Sequence, residues 1–337
     1  MSTKVILVIF LFVGLSSCQL HQSNPREKFE GYVRQLAYTL ETEPPPLPSI
    51  SHIILPSIHN ITLENQPQLI GLVDSYSFRQ CGLFGVVARR NSILGKVEGP
   101  FRRFKYQLDF LNIAQSCLSS QLEPELALAL ADIINRKRSQ LPVYWNRLLY
   151  HSATMRHQLG KTEWLDNNPP SQNIERALMK LSSTYEYVNN PEMLGGLNRE
   201  DIDVLSIQET LDKDILVGPL IYSMKLVTTW LHQINQLLSV ESEYFPNIPQ
   251  QSREKTRHLK DIFFTHYAGE IQRDLSNIDS HYYRLKEKTA IFDEHSDGSY
   301  HYPLEDEHKK FRREVEEHVR FWRAFISPSV RTDIVLN

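Results

Sequence analysis

The residues with the most obvious potential for chemistry lie in an acidic, histidine-rich stretch near the C-terminus, DEHSDGSYHYPLEDEH. Its nitrogen and oxygen atoms are of the kinds that transition metals bind in proteins. They belong to Asp293, His295, Asp297, His301, Asp306 and His308. The spacing matches neither H-E-x-x-H nor a paired-cysteine zinc signature, and Gly298 and Pro303 indicate a loop in which acidic side chains are solvated. The sequence therefore predicts neither a metal nor another cofactor.

The second possible chemistry is nucleophilic catalysis, which requires a nucleophile together with its partner motifs. No G-x-S-x-G is present, and Ser252-Arg253-Glu254-Lys255 matches S-x-x-K without the partner motifs that this chemistry needs. Gly95-Lys96 lacks the upstream glycine of a phosphate-binding loop. The sequence thus predicts no catalytic residue. One alternative stays open, in which a catalytic acid and a catalytic base come from distant positions in the chain. The protein would then be a cell-envelope hydrolase or a lipid- or glycan-binding enzyme.

Cys18 carries a different chemistry, which is covalent lipidation. The apolar run Val5–Val13 follows Lys4 and is shorter than the ~20 residues of a membrane span, which is typical of a signal peptide. Leu15-Ser16-Ser17-Cys18 resembles the bacterial lipobox, whose cysteine is acylated before cleavage. The resemblance implies a signal peptide at residues 1–17 and a lipidated tether at residues 18–25. A plain signal peptide or an N-terminal core strand are the alternatives.

The expected location follows from the residue after this cysteine. In the bacterial sorting rule an Asp there retains a lipoprotein in the inner membrane, so Gln19 implies the periplasmic face of the outer membrane. Each buried methylene contributes ~0.8 kcal/mol, so several acyl chains would hold the protein durably. The membrane is therefore an expected partner through the anchor. The weakly acidic formal net charge of -3 argues against a nucleic-acid partner.

Two further cysteines, Cys81 and Cys117, form an even pair in what should be an oxidising compartment. This compartment and parity predict a disulfide. In the chain-entropy model the bond would stabilise the fold by roughly 4 kcal/mol. Two buried thiols or a catalytic cysteine are the alternatives.

Apolar periodicity predicts helices along most of the chain. They span Arg26–Glu41, Pro100 to Leu118, Pro124 to Ile134, Ile174–Val188, Pro219–Leu238, Arg253–Lys288 and Asp306–Phe325. The helix over Pro219–Leu238 is strongly apolar but carries Lys225 and His232, which would be costly in lipid, so a buried core helix is expected. Residues 141–170, with their Asn-Pro turn, are predicted to form a long loop.

The strand candidate is Ser51–Leu63, where β-branched residues surround Pro56 and allow an edge strand or a short hairpin. The predicted fold is therefore mainly α, an elongated multi-helix bundle with at most a small β-hairpin near the N-terminus. Residues 26–337 are expected to form a single α-helical periplasmic body.

The segment CGLFGVVARRNSILGKVEGP, Cys81 to Pro100, resembles an uncharacterised lipoprotein family of gammaproteobacteria that is known only as a domain of unknown function. The second cysteine in LNIAQSCL and the lipobox support the resemblance. Its clearest marks are Arg90, Asn91, Ser92, Leu94, Gly95, the pair Cys81 and Cys117, and Tyr144-Trp145-Asn146. The resemblance implies no activity.

The polar residues of this segment have two interpretations. Asn91 and Ser92 before Gly95 indicate a helix end, with the glycine in a left-handed turn. Alternatively, a patch near the disulfide receives a partner or an anionic ligand; it consists of Arg89, Arg90, Asn91 and Lys96. With no catalytic set, we expect a non-enzymatic lipoprotein that binds or scaffolds another envelope component, such as an envelope protein. A solute receptor ranks last because it needs alternating strands and helices.

Overall fold

The computed structural model describes residues 24–46, 48–57, 75–120, 122–190, 203–242, 252–292 and 300–326, and regular structure within these ranges is helical, without a strand. The α-helices are α1 (Pro25–Leu40), α2 (Leu83–Asn91), α3 (Ile93–Lys96), α4 (Pro100–Leu118), α5 (Pro124–His151), α6 (Ala153–Gly160), α7 (Gln172–Asn189), α8 (Val204–Lys213), α9 (Val217–Ser242), α10 (Ser252–Ile262), α11 (Gln272–Thr289) and α12 (Leu304–Ile326). The predicted mainly α, multi-helix fold is confirmed. Cys18 and the signal peptide lie outside the described residues.

Helix α9 is buried on nearly all sides. Its longest contact is with α12, and α1, α6 and α11 also pack against it. Leu220, Ile221 and Ser223 are all fully buried, although they lie on different faces of the helix. None of the helices in the described ranges combines the length and the hydropathy that a bilayer crossing requires. The predicted buried core helix is therefore confirmed.

A π-helical segment, Phe263–Ile271, joins α10 to α11. Along this region apolar residues of the packed side recur every four positions, at Leu259, Phe263, Tyr267, Ile271 and Leu275, of which Phe263 is half-buried and the others are buried. In an α-helix such spacing would rotate each residue about 40° past the previous one. The wider π turn cancels this drift and keeps the stripe on one face, which contacts α1. The sequence period predicts the helix but not this local unwinding.

Helix α5 continues through a region that the sequence predicts to be a loop. Pro142 lies inside it, where proline removes a backbone hydrogen bond and costs about 3 kcal/mol. Leu141, Trp145 and Leu148 on either side are fully buried. Each such side chain contributes about 1.5 to 3 kcal/mol, so their packing outweighs the cost. The loop prediction is wrong for residues 141–160, which are helical except for the bend at Ser152, and it is right for residues 161–170.

The strand predicted at Ser51–Leu63 is not formed in its described part, residues 51–57. These residues form an irregular arm whose carbonyl oxygens accept hydrogen bonds from side chains. Lys225 Nζ donates to Ser51 O at 2.9 Å, and Arg156 Nη1 donates to Pro56 O at 2.9 Å. These two hydrogen bonds hold the irregular arm against α9 and α6. The remainder of the candidate lies outside the described residues.

Candidate functional site

The predicted disulfide between Cys81 and Cys117 is confirmed, with the Cα atoms 5.3 Å apart. It ties the chain just before α2 to the last turn of α4, and α4 also packs along α5. These helices and the short α3 hold a group of cations that we call the cationic corner. Its members are Arg89, Arg90, Lys96, Arg103, Lys137 and Arg147. Asn91, the remaining predicted patch residue, ends α2 beside them.

The short helix α3 is held firmly against the end of α2. Ser92 Oγ accepts a hydrogen bond from Gly95 N at 3.1 Å and donates one to Arg89 O at 2.7 Å. The Arg90 guanidinium donates to Gly95 O, and Arg103 Nη2 donates to Lys96 O at 3.3 Å. Two of the cations therefore fix the backbone of the turn as well as contributing charge.

Gly95 does not take the left-handed conformation that the sequence predicts, and that prediction is wrong. Among the described glycines the positive φ belongs to Gly82, at 83°, immediately before α2. Gly95 lies inside α3, and it is needed for a different reason. A Cβ at this position would lie 2.4 Å from Arg89 O and 2.6 Å from Arg90 O. The close approach of two backbones therefore requires a glycine here.

We expect Gly95→Ala to destabilise the protein by about 1 to 3 kcal/mol, because the added methyl group overlaps two backbone carbonyls. Gly85→Ala is the matched control, since nothing lies within 4 Å of a Cβ there. It should stabilise α2 by about 0.5 to 1 kcal/mol. Urea unfolding of both variants measures the difference. Equal stability of the two variants would contradict the close packing.

Lys137 is the buried member of the cationic corner, with only 9% of its surface exposed. Its Nζ donates to Gln107 Oε1 at 2.9 Å and lies 4.5 Å from the ring centre of Phe110 and 5.1 Å from that of Tyr106. Burial, with a smaller contribution from the charge of Arg90, lowers the pKa of Lys137 to about 8. Within the described ranges, no ion pair joins Lys137 to a carboxylate.

The remaining cations extend the same positive region. The Arg90 guanidinium lies 5.9 Å from the ring centre of Tyr106. Burial raises the pKa of this tyrosine to about 12, although the charge of Arg90 opposes the shift. Burial also lowers the pKa of Arg147; Tyr144 opposes this shift, and the charge of Arg103 adds to it. Arg90 and Lys137, and likewise Arg103 and Arg147, thus lie close enough for each positive charge to disfavour the other. A bound anion would relieve this repulsion.

The structure brings the predicted patch together with cations that the sequence analysis missed. Arg89 and Lys96 are exposed and Arg90 is half-buried, beside Arg103 from α4 and Lys137 from α5. A signal for Lys137 does exist in the sequence. It interrupts an apolar stripe at helical spacing, formed by Leu130, Ile134, Leu141 and Trp145, and a lysine on a buried face is unusual. Whether the patch binds a ligand stays a prediction.

A family model described as "Protein of unknown function (DUF3080)" matches residues 29–328. The chain belongs to this family. The match includes the disulfide, the cationic corner and every helix from α2 to α12. Neither the comparison with curated proteins nor that with solved structures produced a match. The resemblance to an uncharacterised family is confirmed, and the lipoprotein origin stays a prediction.

DUF3080 membership brings no activity, so the histidine-rich stretch has to be judged from its geometry. Its first half, including Asp293, His295 and Asp297, lies outside the described residues. In the second half the histidines have separate acidic partners. His301 Nε2 lies 3.4 Å from Asp306, and His308 Nε2 lies 2.8 Å from Asp279. The part of the chain that the structure describes contains no group of three potential metal ligands.

The His308–Asp279 pair is the arrangement closest to a general acid-base dyad. Its imidazole is stacked on Tyr282, with ring centres 3.5 Å apart, and its side chain is only 6% exposed. Burial lowers the pKa of His308 in spite of its bond to Asp279. Arg312 Nη1 occupies the second carboxylate oxygen at 3.1 Å. The pair joins α11 to α12, with Nε2 bonded to Asp279 and one ring face covered by Tyr282.

Proposed function

We propose that this chain is a non-enzymatic binding or scaffolding lipoprotein, anchored by acylated Cys18 to the periplasmic face of the outer membrane. In this proposal the cationic corner takes an anionic group carried by an envelope partner. The supporting observation is Lys137, a buried cation whose hydrogen-bond partner is a neutral amide. The family match is compatible with such a role but assigns none.

Keeping this lysine charged is expensive for the fold. Each unit of pKa shift corresponds to about 1.4 kcal/mol, so a shift from 10.5 to about 8 costs about 3 kcal/mol near neutral pH. An apolar side chain in the same place would avoid that cost. A bound anion would remove it in a different way, by supplying the missing counter-charge. Strongly perturbed charged groups of this kind cluster at functional sites.

The anchor is tested by Cys18→Ala in the full-length protein. We expect the variant to lose acylation and to leave the membrane fraction, because a single cysteine thiol carries the modification. Metabolic labelling with a fatty acid and fractionation of the cell envelope measure the two effects. A variant that keeps both its label and its membrane association would refute the lipoprotein proposal.

The anion site is tested with inorganic phosphate as the probe. At constant ionic strength, phosphate should raise the unfolding temperature of the wild-type protein, because it binds the folded state alone. Lys137→Met should lose this response. Lys309→Met, which removes a lysine that is 66% exposed, is the control and should respond like the wild type. Equal phosphate responses in all three proteins would refute the proposed site.

A further inference from the structure

The outer face of the cationic corner carries exposed apolar side chains. Ile93, Leu94 and Val97 are 85%, 77% and 76% exposed, and all three belong to α3 or directly follow it. Arg89 and Lys96, both exposed, lie in the same part of the chain. Apolar side chains of this size next to cations form the pattern of a surface that enters the headgroup region of a bilayer.

The exposure of these side chains is built into the turn. The backbone of Gly95 packs against the end of α2, and Arg90 and Arg103 hold the carbonyl oxygens of Gly95 and Lys96. The apolar side chains therefore cannot turn inward without breaking these bonds. A turn that is already rigid loses little conformational entropy when a partner covers it.

We propose that Ile93, Leu94 and Val97 insert into the surface of an anionic phospholipid leaflet, where neighbouring cations bind the lipid phosphates. The inference rests on the proposed function, in which acyl chains hold the body at the same leaflet. It also names the anion of the cationic corner as a lipid phosphate. Charge complementarity carries the choice, because Arg89 and Lys96 adjoin the apolar side chains in the sequence and Arg103 is bonded to Lys96 O, in a chain that is acidic as a whole. The one carboxylate next to the apolar side chains in the sequence is that of Glu98, against these three cations.

The size of the apolar surface favours lipid over a protein partner. A stable protein interface buries about 800 Å² on each side, and charged residues are depleted at its centre. Three side chains with cations directly beside them do not fit that description. Insertion into a leaflet needs only a small apolar tip, and the flanking cations then lie at the depth of the phosphates. A second contact would also fix how the tethered body faces the membrane.

The test uses the full chain, purified with its anchor and reconstituted in vesicles of phosphatidylethanolamine and phosphatidylglycerol. Leu94→Cys introduces a thiol for an environment-sensitive fluorophore, since Cys81 and Cys117 are already bonded to each other. Ile54→Cys is the matched control, because Ile54 is at least as exposed as Leu94, at 85% against 77%, but lies in the N-terminal arm. Quenching by nitroxide-labelled lipids reports contact with the leaflet.

We expect the label at position 94 to shift to shorter wavelength and to be quenched by the lipids, and the label at position 54 to do neither. The quenching should be lost in phosphatidylcholine vesicles and in Arg89→Glu/Lys96→Glu. It should persist in Arg320→Glu, the control, which reverses the charge of an exposed arginine on α12. Equal quenching at both positions, quenching independent of phosphatidylglycerol, or crosslinking of position 94 to a protein in place of lipid would overturn the inference. Protein that floats with the vesicles while its label stays unquenched defeats this inference alone. Protein that does not float defeats the anchor instead.

Discussion

Lys28→Met and Lys137→Met are expected to change the stability of the protein in opposite directions. Both lysines are largely buried, with 11% of the Lys28 side chain and 9% of the whole Lys137 residue exposed. Lys28 Nζ lies 2.8 Å from a carboxylate oxygen of Asp274, which is itself fully buried. The Nζ of Lys137 instead donates to the neutral side-chain amide of Gln107. The difference in partner, and not in burial, should decide the sign.

Removing Lys28 leaves the buried Asp274 carboxylate without its counter-charge, which costs about 3 to 5 kcal/mol. Removing Lys137 abolishes the desolvation penalty of a buried cation, which is about 3 kcal/mol. It also leaves Gln107 Oε1 without a hydrogen-bond donor, which costs about 1 kcal/mol. We therefore expect Lys137→Met to be about 2 kcal/mol more stable than the wild type near neutral pH. Urea unfolding followed by circular dichroism measures both changes.

The pH dependence gives an independent check on Lys137. The folded-state pKa is lowered to about 8 while the unfolded chain keeps its ordinary value, so between these values the unfolded state binds more protons. Wild-type stability should therefore rise with pH from about 8 towards 10.5, and Lys137→Met should lack that contribution. If the variant is less stable than the wild type and its pH profile is unchanged, Lys137 is not an uncompensated charge.

Acid is expected to destabilise the protein strongly through His318, a fully buried residue of α12 that faces α1 and α9. Its Nδ1 donates to Asn235 Oδ1 at 2.8 Å. Its Nε2 is therefore the acceptor, 3.1 Å from the Trp322 indole nitrogen and 3.0 Å from the Tyr32 hydroxyl. A proton on Nε2 would face the indole N–H, which can only donate. Burial accordingly lowers the pKa of His318 to about 3.

The sign of the effect follows from proton uptake. The unfolded chain protonates this histidine near its ordinary value of 6.5, whereas the folded chain does so only at about 3. The contribution of His318 to stability is fully present above pH 6.5. It is lost as the pH falls from 6.5 to about 3, by about 5 kcal/mol in total. Between about pH 7 and 4.5 the loss from this residue should be about 3 kcal/mol.

The measurement compares urea unfolding of the wild type and His318→Gln across this pH range. The variant should be less stable at neutral pH because the buried network is broken, but its stability should depend less on acid. His52→Gln, which changes an exposed histidine, is the control and should keep the wild-type pH profile. An unchanged acid dependence in His318→Gln would show that another group is responsible, and His308, whose pKa burial also lowers, would be the next to test.

The helical nature of the fold is largely a local property, and the sequence predicts it well. The stripes in α7, α9, α11 and α12 are long and regular, so period alone identifies them. Helix α8 was missed, because its stripe is short and rests on Val204, Ile207 and Leu211 alone. The disulfide followed from parity and compartment, without geometry. Helix α5 was cut short because proline is a strong local signal that tertiary packing overrode.

What the sequence by itself determined is the helical class, the cysteine pair and the family. Tertiary structure decided the sites, because burial and charge balance depend on which helix faces meet. Lys28 and Asp274 are 246 residues apart in the chain, and Tyr32 and His318 are 286 apart. Lys137 is uncompensated only because α5 turns it toward Gln107 and the rings of α4. Period shows which face of a helix is buried, but the partner groups on that face are set by packing between distant segments.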